Sequence, residues 1–180
     1  MLDGAFLHSF FYIGAQIYVF SFLLVFAEDA INMKGQEAKY YAGVAGFLFM
    51  IGRFAGTFFM RYISPQKLLS IYSMISIILS IWVITGSGMS TLYALVALTF
   101  FMSIMFPTIF ALGIEGAGAE TKPASSLLIM SIVGGAIIPP IASNITDISG
   151  NIHFSYAVPL VCFIIVFLFS LRFRNKKISS

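Results

Sequence analysis

The sequence predicts an all-α integral membrane protein with six transmembrane helices. Of its 180 residues, 59% are hydrophobic and only 9% are charged, whereas a soluble domain carries about 25% charged residues. Six apolar segments come close to the ~20 residues that a helix needs to cross a bilayer. The net charge of +3 comes mainly from loops and the C-terminal tail. We therefore expect the lipid bilayer as the surrounding medium and no nucleic-acid partner.

Charged and turn-forming residues separate the six segments. Acidic and basic residues lie between the first and second segments, and Pro65 and Lys67 mark a tight turn before the third. The polar turn GSGMS precedes the fourth, a loop with Lys122 and Pro123 precedes the fifth, and a turn with Gly150 precedes the sixth. The prediction is one membrane domain over 1–180, with spans at about 5–27, 41–63, 68–85, 91–114, 124–145 and 154–171, and a basic tail at 172–180.

The distribution of lysine and arginine predicts the orientation. Cytoplasmic loops of membrane proteins carry an excess of these residues, and the tail RFRNKKISS holds four of them. We expect both termini in the cytoplasm, since an even number of spans returns the chain to the side on which it began. The expected location is a bacterial cytoplasmic (inner) membrane, as a multi-pass protein.

The six segments fall into pairs by composition. The third and sixth are bulky and apolar, as lipid-facing helices are, whereas the fifth is rich in Ser, Gly and Ala, as closely packed membrane helices are. The first and fourth mix aromatic residues with single polar ones. A three-plus-three inverted repeat produces such a pattern, and transporters use it.

Helix breakers interrupt the fourth and fifth segments. Pro107 lies inside the fourth, and Gly134-Gly135 lies at the middle of the fifth. Interrupted membrane helices that line a cavity indicate a substrate path, so we predict hinge or gating roles at Pro107, Gly134 and Gly135. The alternatives are a simple proline kink and, for the glycines, a packing notch.

Aromatic and polar residues on the first and fourth segments predict a sugar site. Tyr12, Gln16 and Phe20 share one helix face because they are four residues apart. An amide can bond sugar hydroxyls while aromatic rings stack on the apolar face of the sugar. Ser103 and Phe106 precede Pro107 and are further candidates for substrate binding. The alternative for Gln16 is a hydrogen bond to a neighbouring helix.

Arg53 is the charge placed well inside a segment. A membrane-embedded charge is costly and faces protein or water, so we predict a structural ion pair with an acid such as Glu115 or Glu120. Arg53 lies in GRFAGT, where Gly52 and Gly56 form a G-x-x-x-G face for close helix contact. The alternative is an arginine that extends to the cytoplasmic interface.

Catalytic, cofactor and metal sites are not expected. His8 and His153 belong to opposite ends of the predicted bundle, on the order of 30 Å apart, so they cannot share a metal. The sequence contains no G-x-S-x-G motif, no phosphate loop and no Cys/His spacing typical of metal sites. We therefore expect a protein that is not an enzyme.

Several motifs occur in a characteristic order between about Phe10 and the tail: GAQ, GRFAGT followed by SPQKLL, FMSIMFPTIFALGIEGAG, ETKPASSLLIM and IVGGAIIPP. Together they resemble the C-terminal half of the fucose–proton symporter family of the major facilitator superfamily, which includes fucose and glucose/galactose permeases. The resemblance implies a twelve-span sugar–cation symporter that works by alternating access, of which these are the last six spans. It also implies that the first and fourth spans line the cavity, the second and fifth face an N-terminal half, and the third and sixth face lipid.

The resemblance leaves the sugar and the coupling ion open. Fucose-type members carry Gln-Tyr immediately before the proline of the fourth span here, where this chain has Met105-Phe106; MFPTIF is more similar to the glucose/galactose branch. The acids implied in proton coupling lie in the N-terminal half, which would join this chain in cis or in trans. Alternatives are a half-size transporter acting as a homodimer and a non-transporting scaffold or degenerate fragment.

Overall fold

The structure, a computed structural model, describes residues 2–115 and 121–176, and it is helical throughout its spans. In these residues six helical segments are long and apolar enough to cross a membrane. Spans one, two and three are α1 (Leu2–Ile31), α2 (Gly35–Phe59) and α3 (Pro65–Thr85). Span four contains α4 (Met89–Met102) and α5 (Met105–Ile114). Span five contains α6 (Thr121–Met130), the 3₁₀ turn Ser131–Val133 and α7 (Gly134–Ser149), and span six contains α8 (Ile152–Ser155) and α9 (Ala157–Lys176).

Local sequence explains where these helices begin and end. Pro65 occupies the first position of α3, where a missing N–H costs no helical hydrogen bond. Gly150 follows α7 with φ 65°, a left-handed conformation that glycine adopts without steric cost. Asn151 then caps α8, because its side chain accepts a hydrogen bond from the His153 backbone N–H at 2.9 Å.

The first helix is longer than the apolar run suggests. It continues to Ile31, so Glu28 and Asp29, expected in the first loop, lie on its last turns. Asn32 then ends the helix with φ 53°, and the Met33 backbone N–H donates to the Ala27 carbonyl at 3.1 Å. The helix therefore extends beyond its apolar part, since α-helical hydrogen bonding does not require lipid contact.

Contacts between the spans follow a two-fold exchange. The most extensive contacts pair span three with six, one with five, two with four, one with six and three with four. If span one is exchanged with span four, two with five and three with six, the same five pairs of contacting spans result. The contact pattern therefore has the form of a three-plus-three repeat, although the sequence shows no residue-level repeat.

Burial groups the spans into the same pairs as that exchange. Half of the most apolar window of span one and 61% of that of span four are buried, against 17% for span two and 28% for span five. Spans three and six lie between, at 39% and 44%. Spans one and four are thus the centre of the unit, whereas spans two and five present the largest uncovered faces.

Glycines allow span one and span five to cross at close range. A Cβ atom added to Gly134 would lie 2.8 Å from the carbonyl carbon of Phe10, and one added to Gly14 would lie 2.9 Å from the Gly134 carbonyl oxygen. A Cβ on Gly135 would overlap the Ile17 side chain. The packing notch considered for Gly134-Gly135 is therefore present, and the change from 3₁₀ to α-helix at Gly134 coincides with it.

We expect Gly134→Ala to destabilise the folded chain, because its Cβ would meet backbone atoms of Phe10 that cannot move aside. Overpacking of this kind typically costs about 1–3 kcal/mol. Thermal unfolding of the purified chain in detergent measures the loss. Gly46→Ala is the matched control, since a Cβ at Gly46 meets nothing within 4 Å. Equal unfolding temperatures for the two variants would contradict the notch.

Candidate functional site

The fourth span is interrupted within the membrane. Helix α4 ends at Met102, Ser103 and Ile104 form a turn, and α5 begins at Met105. Pro107 has no N–H, so the Ser103 carbonyl lacks the donor that a continuous helix would supply from four residues onward. Hydrogen bonding resumes at the next position, where the Thr108 backbone N–H donates to the Ile104 carbonyl at 3.2 Å.

Side chains from two other spans bind carbonyls at this interruption. The Tyr12 hydroxyl of span one donates to the Met102 carbonyl. The Arg53 Nε–H of span two donates to the Ser103 carbonyl at 3.3 Å. Backbone polar groups in a bilayer must be satisfied within the protein, so these two residues supply what the broken helix lacks. The break is thereby tied to spans one and two.

Two glycines bring span two close enough for Arg53 to reach the break. A Cβ on Gly52 would lie 2.6 Å from the Ser103 Oγ, and one on Gly56 would lie 2.8 Å from the Ile104 Cβ. The predicted G-x-x-x-G face is confirmed, and it packs against the interrupted part of span four. Larger residues at either position would push the helices apart.

An aromatic pair connects Arg53 to the candidate residues of span one. The Arg53 guanidinium carbon lies 5.3 Å from the centroid of the Phe49 ring, within the range of a cation–π contact. The Phe49 ring in turn meets Phe20 edge-to-face, with centroids 5.1 Å apart. Phe49 was not among the predicted residues, although its position one turn before Arg53 on the same helix was a usable signal.

The predicted substrate residues do not all occupy the same environment. Tyr12 and Ser103 are buried inside the six-helix unit, and the Ser103 Oγ donates to the Phe100 carbonyl at 2.7 Å. Gln16, Phe20 and Phe106 are half-buried. The latter three are thus accessible from outside the unit, whereas Tyr12 and Ser103 are engaged with its backbone.

The contacts that the structure shows for the Arg53 side chain are those with the Ser103 carbonyl and the Phe49 ring. Arg53 is itself exposed and lines a groove on span two with Met50, Phe54, Thr57, Phe58 and Arg61. Glu115 is exposed beyond the end of α5, and Glu120 lies outside the described residues. The ion pair of Arg53 with Glu115 stays a prediction.

The described residues hold no group of three or more His, Cys, Asp or Glu that could bind a metal. Near one end of the bundle, the His153 Nδ1 lies 2.6 Å from the Val83 carbonyl. Its ring also contacts Phe26 edge-to-face, with centroids 4.9 Å apart. Through these contacts His153, in span six, packs against spans one and three.

No family model matches the chain, but individual proteins do. It is 38% identical over 174 residues to the L-fucose–proton symporter of Escherichia coli, covering 96% of this chain and 39% of that protein. It is 38% identical over 167 residues to a putative glucose/galactose transporter of Helicobacter pylori, covering 91% and 41%. A crystal structure of the major facilitator superfamily transporter FucP in the outward conformation superimposes with a TM-score of 0.93, at 37% identity and covering 96% and 42%.

The chain is a relative of L-fucose–proton symporters and glucose/galactose transporters, and it has the fold of part of a major facilitator superfamily transporter. It spans about two fifths of the length of the relatives that it matches. Its six apolar helices and its similarity to these transporters indicate an integral, multi-pass membrane protein. The family resemblance found in the sequence is confirmed, and so is the six-helix fold.

We expect Tyr12→Phe to destabilise the chain by about 1–3 kcal/mol, because the Met102 carbonyl would lose its buried donor. Thermal unfolding in detergent measures the change. Tyr156→Phe is the matched control: Tyr156 is equally buried, but its hydroxyl has no hydrogen-bond partner among the described residues. If Tyr12→Phe unfolds at the same temperature as Tyr156→Phe, the Tyr12 hydroxyl does not hold the break.

Proposed function

We propose that this chain is the C-terminal six-helix half of a hexose–cation symporter whose sugar cavity lies between it and an N-terminal half. The observation that carries the proposal is the uncovered face of spans two and five. These spans are the least buried of the six, and the exposed Arg53 lies on one of them. A charged side chain within a membrane span must face protein or a water-filled cavity. A second half packed against spans two and five would enclose such a cavity.

The proposed cavity wall consists of spans one and four. Gln16 would bind sugar hydroxyls, while Phe20 and Phe106 would stack on the apolar face of the ring. These three residues are half-buried, which suits a wall that another unit completes. Tyr12 and Ser103 were also predicted to bind substrate, but their hydroxyls already donate to backbone carbonyls. These two residues would therefore support the cavity wall without contacting the sugar.

Glucose and galactose are the proposed sugars. Identity does not decide the question, since the chain is 38% identical both to a fucose–proton symporter and to a putative glucose/galactose transporter. Met105 is fully buried, so of the Met105-Phe106 pair Phe106 is the one available to substrate. A phenyl ring at this position offers stacking without a hydroxyl, which agrees with the resemblance of MFPTIF to the glucose/galactose branch.

A proton is the proposed coupling cation, and the N-terminal half would bind it. The acids of this chain cluster near the ends of the spans, whereas coupling requires an ionisable group within reach of the cavity. The membrane would be the bacterial inner membrane, with both termini in the cytoplasm. The basic tail supports this orientation through the excess of cytoplasmic lysine and arginine.

Pro107, Gly134 and Gly135 are the proposed hinge positions for alternating access. Each lies where a span changes its helical form: α4 to α5 for Pro107, and 3₁₀ to α7 for the glycines. The two breaks lie at crossings that the exchange of spans relates, because span four packs on span two as span one packs on span five. Both hinges lie in spans four to six, so bending at them would move these spans relative to spans one to three.

Uptake of labelled glucose, galactose and fucose tests the proposal, in cells that make this chain alone or with the N-terminal half of a homologous symporter. We expect uptake of glucose or galactose in the paired sample and its loss on addition of a protonophore. Uptake by the chain alone would favour the homodimer. The absence of both uptake and sugar-induced thermal stabilisation in the paired sample would overturn the transport proposal.

Substitutions at the cavity wall test the site. In the paired transporter we expect Gln16→Ala and Phe106→Ala to lower sugar affinity at least about tenfold, the effect of losing 1.4 kcal/mol of binding. The matched controls are Gln66→Ala, an amide buried near the start of α3, and Phe167→Ala, a half-buried phenylalanine of span six. Equal effects at the site and control positions would remove Gln16 and Phe106 from the site.

A further inference from the structure

We propose that Arg53 is a positioning residue that replaces the helical hydrogen bond that Pro107 cannot make. Pro107 leaves the Ser103 carbonyl without a donor from its own helix. The Arg53 Nε–H, from the neighbouring span, donates to this carbonyl at 3.3 Å. Arg53 and Pro107 are far apart in the sequence, yet both act on the Ser103 carbonyl oxygen: Pro107 removes its helical donor and Arg53 supplies another.

The packing around Arg53 favours this role over an accidental contact. Arg53 follows directly after Gly52, whose missing side chain leaves room for the Phe100 carbonyl and the Ser103 hydroxyl. Gly56, one turn later, gives the same clearance at Ile104. The backbone of span two is thus closest to span four at the interruption itself, and the first side chain beyond Gly52 is the one that bonds the free carbonyl.

An arginine suits this task for chemical reasons. Its guanidinium stays protonated under all ordinary conditions, and its five N–H groups have a fixed planar arrangement. The Nε–H is therefore a permanent donor whose direction is set by the plane of the group. The Phe49 ring beside the guanidinium carbon further restricts that plane, while the Nη groups remain available to other acceptors.

The hydrogen bond would set the direction of α5 relative to α4. An unpaired carbonyl in a bilayer is costly, so bending the span in a direction that separates Ser103 from Arg53 would be disfavoured. Phe106 lies on the first turn of α5 and moves with it. The consequence for sugar binding rests on the proposed function, whereas the hydrogen bond itself is testable without any sugar.

A double-mutant cycle between Arg53 and Pro107 provides that test. Arg53→Met removes the donor from span two, and Pro107→Ala restores an N–H to span four. We expect Arg53→Met to lower the thermal unfolding temperature of the chain by roughly 3–8 °C, as expected for losing one charge-assisted hydrogen bond. In the Pro107→Ala background the same substitution should have at most about half this effect, since the restored backbone N–H can donate to the Ser103 carbonyl.

Two matched controls separate this coupling from general damage. Arg61→Met removes a charge from the same groove but from a residue that makes no such hydrogen bond among the described residues, and its effect should be equal in both backgrounds. Pro140→Ala, in span five, should not reduce the effect of Arg53→Met. If Arg53→Met alone fails to accumulate in membranes, recovery of folded chain by Pro107→Ala supports the proposal, and its absence overturns it.

Equal destabilisation by Arg53→Met in the original chain and in the Pro107→Ala variant would also overturn the proposal. In the paired transporter, Arg53→Met should raise the KM for sugar, and Arg53→Met/Pro107→Ala should return it towards the original value. This result would support the inference that Arg53 sets the position of Phe106. A KM that stays raised in the double variant would oppose it. Loss of transport in every sample would count against the proposed function, while the unfolding cycle would still decide the role of Arg53.

Discussion

The structure depends on one constraint: a backbone carbonyl inside a membrane must find a donor within the protein. Pro107 creates the most demanding instance, because it breaks span four at the centre of the bundle. Tyr12 and Arg53 meet the demand from spans one and two. The three spans around the proposed cavity wall are therefore connected by side chain-to-backbone hydrogen bonds at the point where the helix is weakest.

Close packing at glycines is the second condition for this arrangement. Gly52 and Gly56 bring span two against span four, and Gly134 brings span five against span one. The exchange of spans that relates the two halves of the unit maps one contact onto the other. Each of these two crossings thus combines closely packed glycines with a change of helical form in one of its spans, in span four at the first crossing and in span five at the second.

Sequence patterns were sufficient for the fold class and for much of the packing. Apolar segments separated by charged loops indicate spans because lipid excludes charges, and G-x-x-x-G indicated a close contact that span two makes. The site was harder to predict. Tyr12, Gln16 and Phe20 do share a helix face, but helical spacing could not show that the Tyr12 hydroxyl is engaged by Met102 while Gln16 remains accessible.

The sequence by itself therefore determined the membrane environment, the number of spans, the interruptions of spans four and five and the family resemblance, because these follow from local composition and ordered motifs. Only the tertiary structure decided which groups the side chains of Tyr12, Arg53 and Ser103 contact. Arg53 is the clearest case: a charge inside an apolar segment predicts a carboxylate partner, and only the structure shows that its Nε–H also reaches the Ser103 carbonyl of span four. That pairing depends on how closely two helices approach, and the distance between helices is a property of the packed bundle.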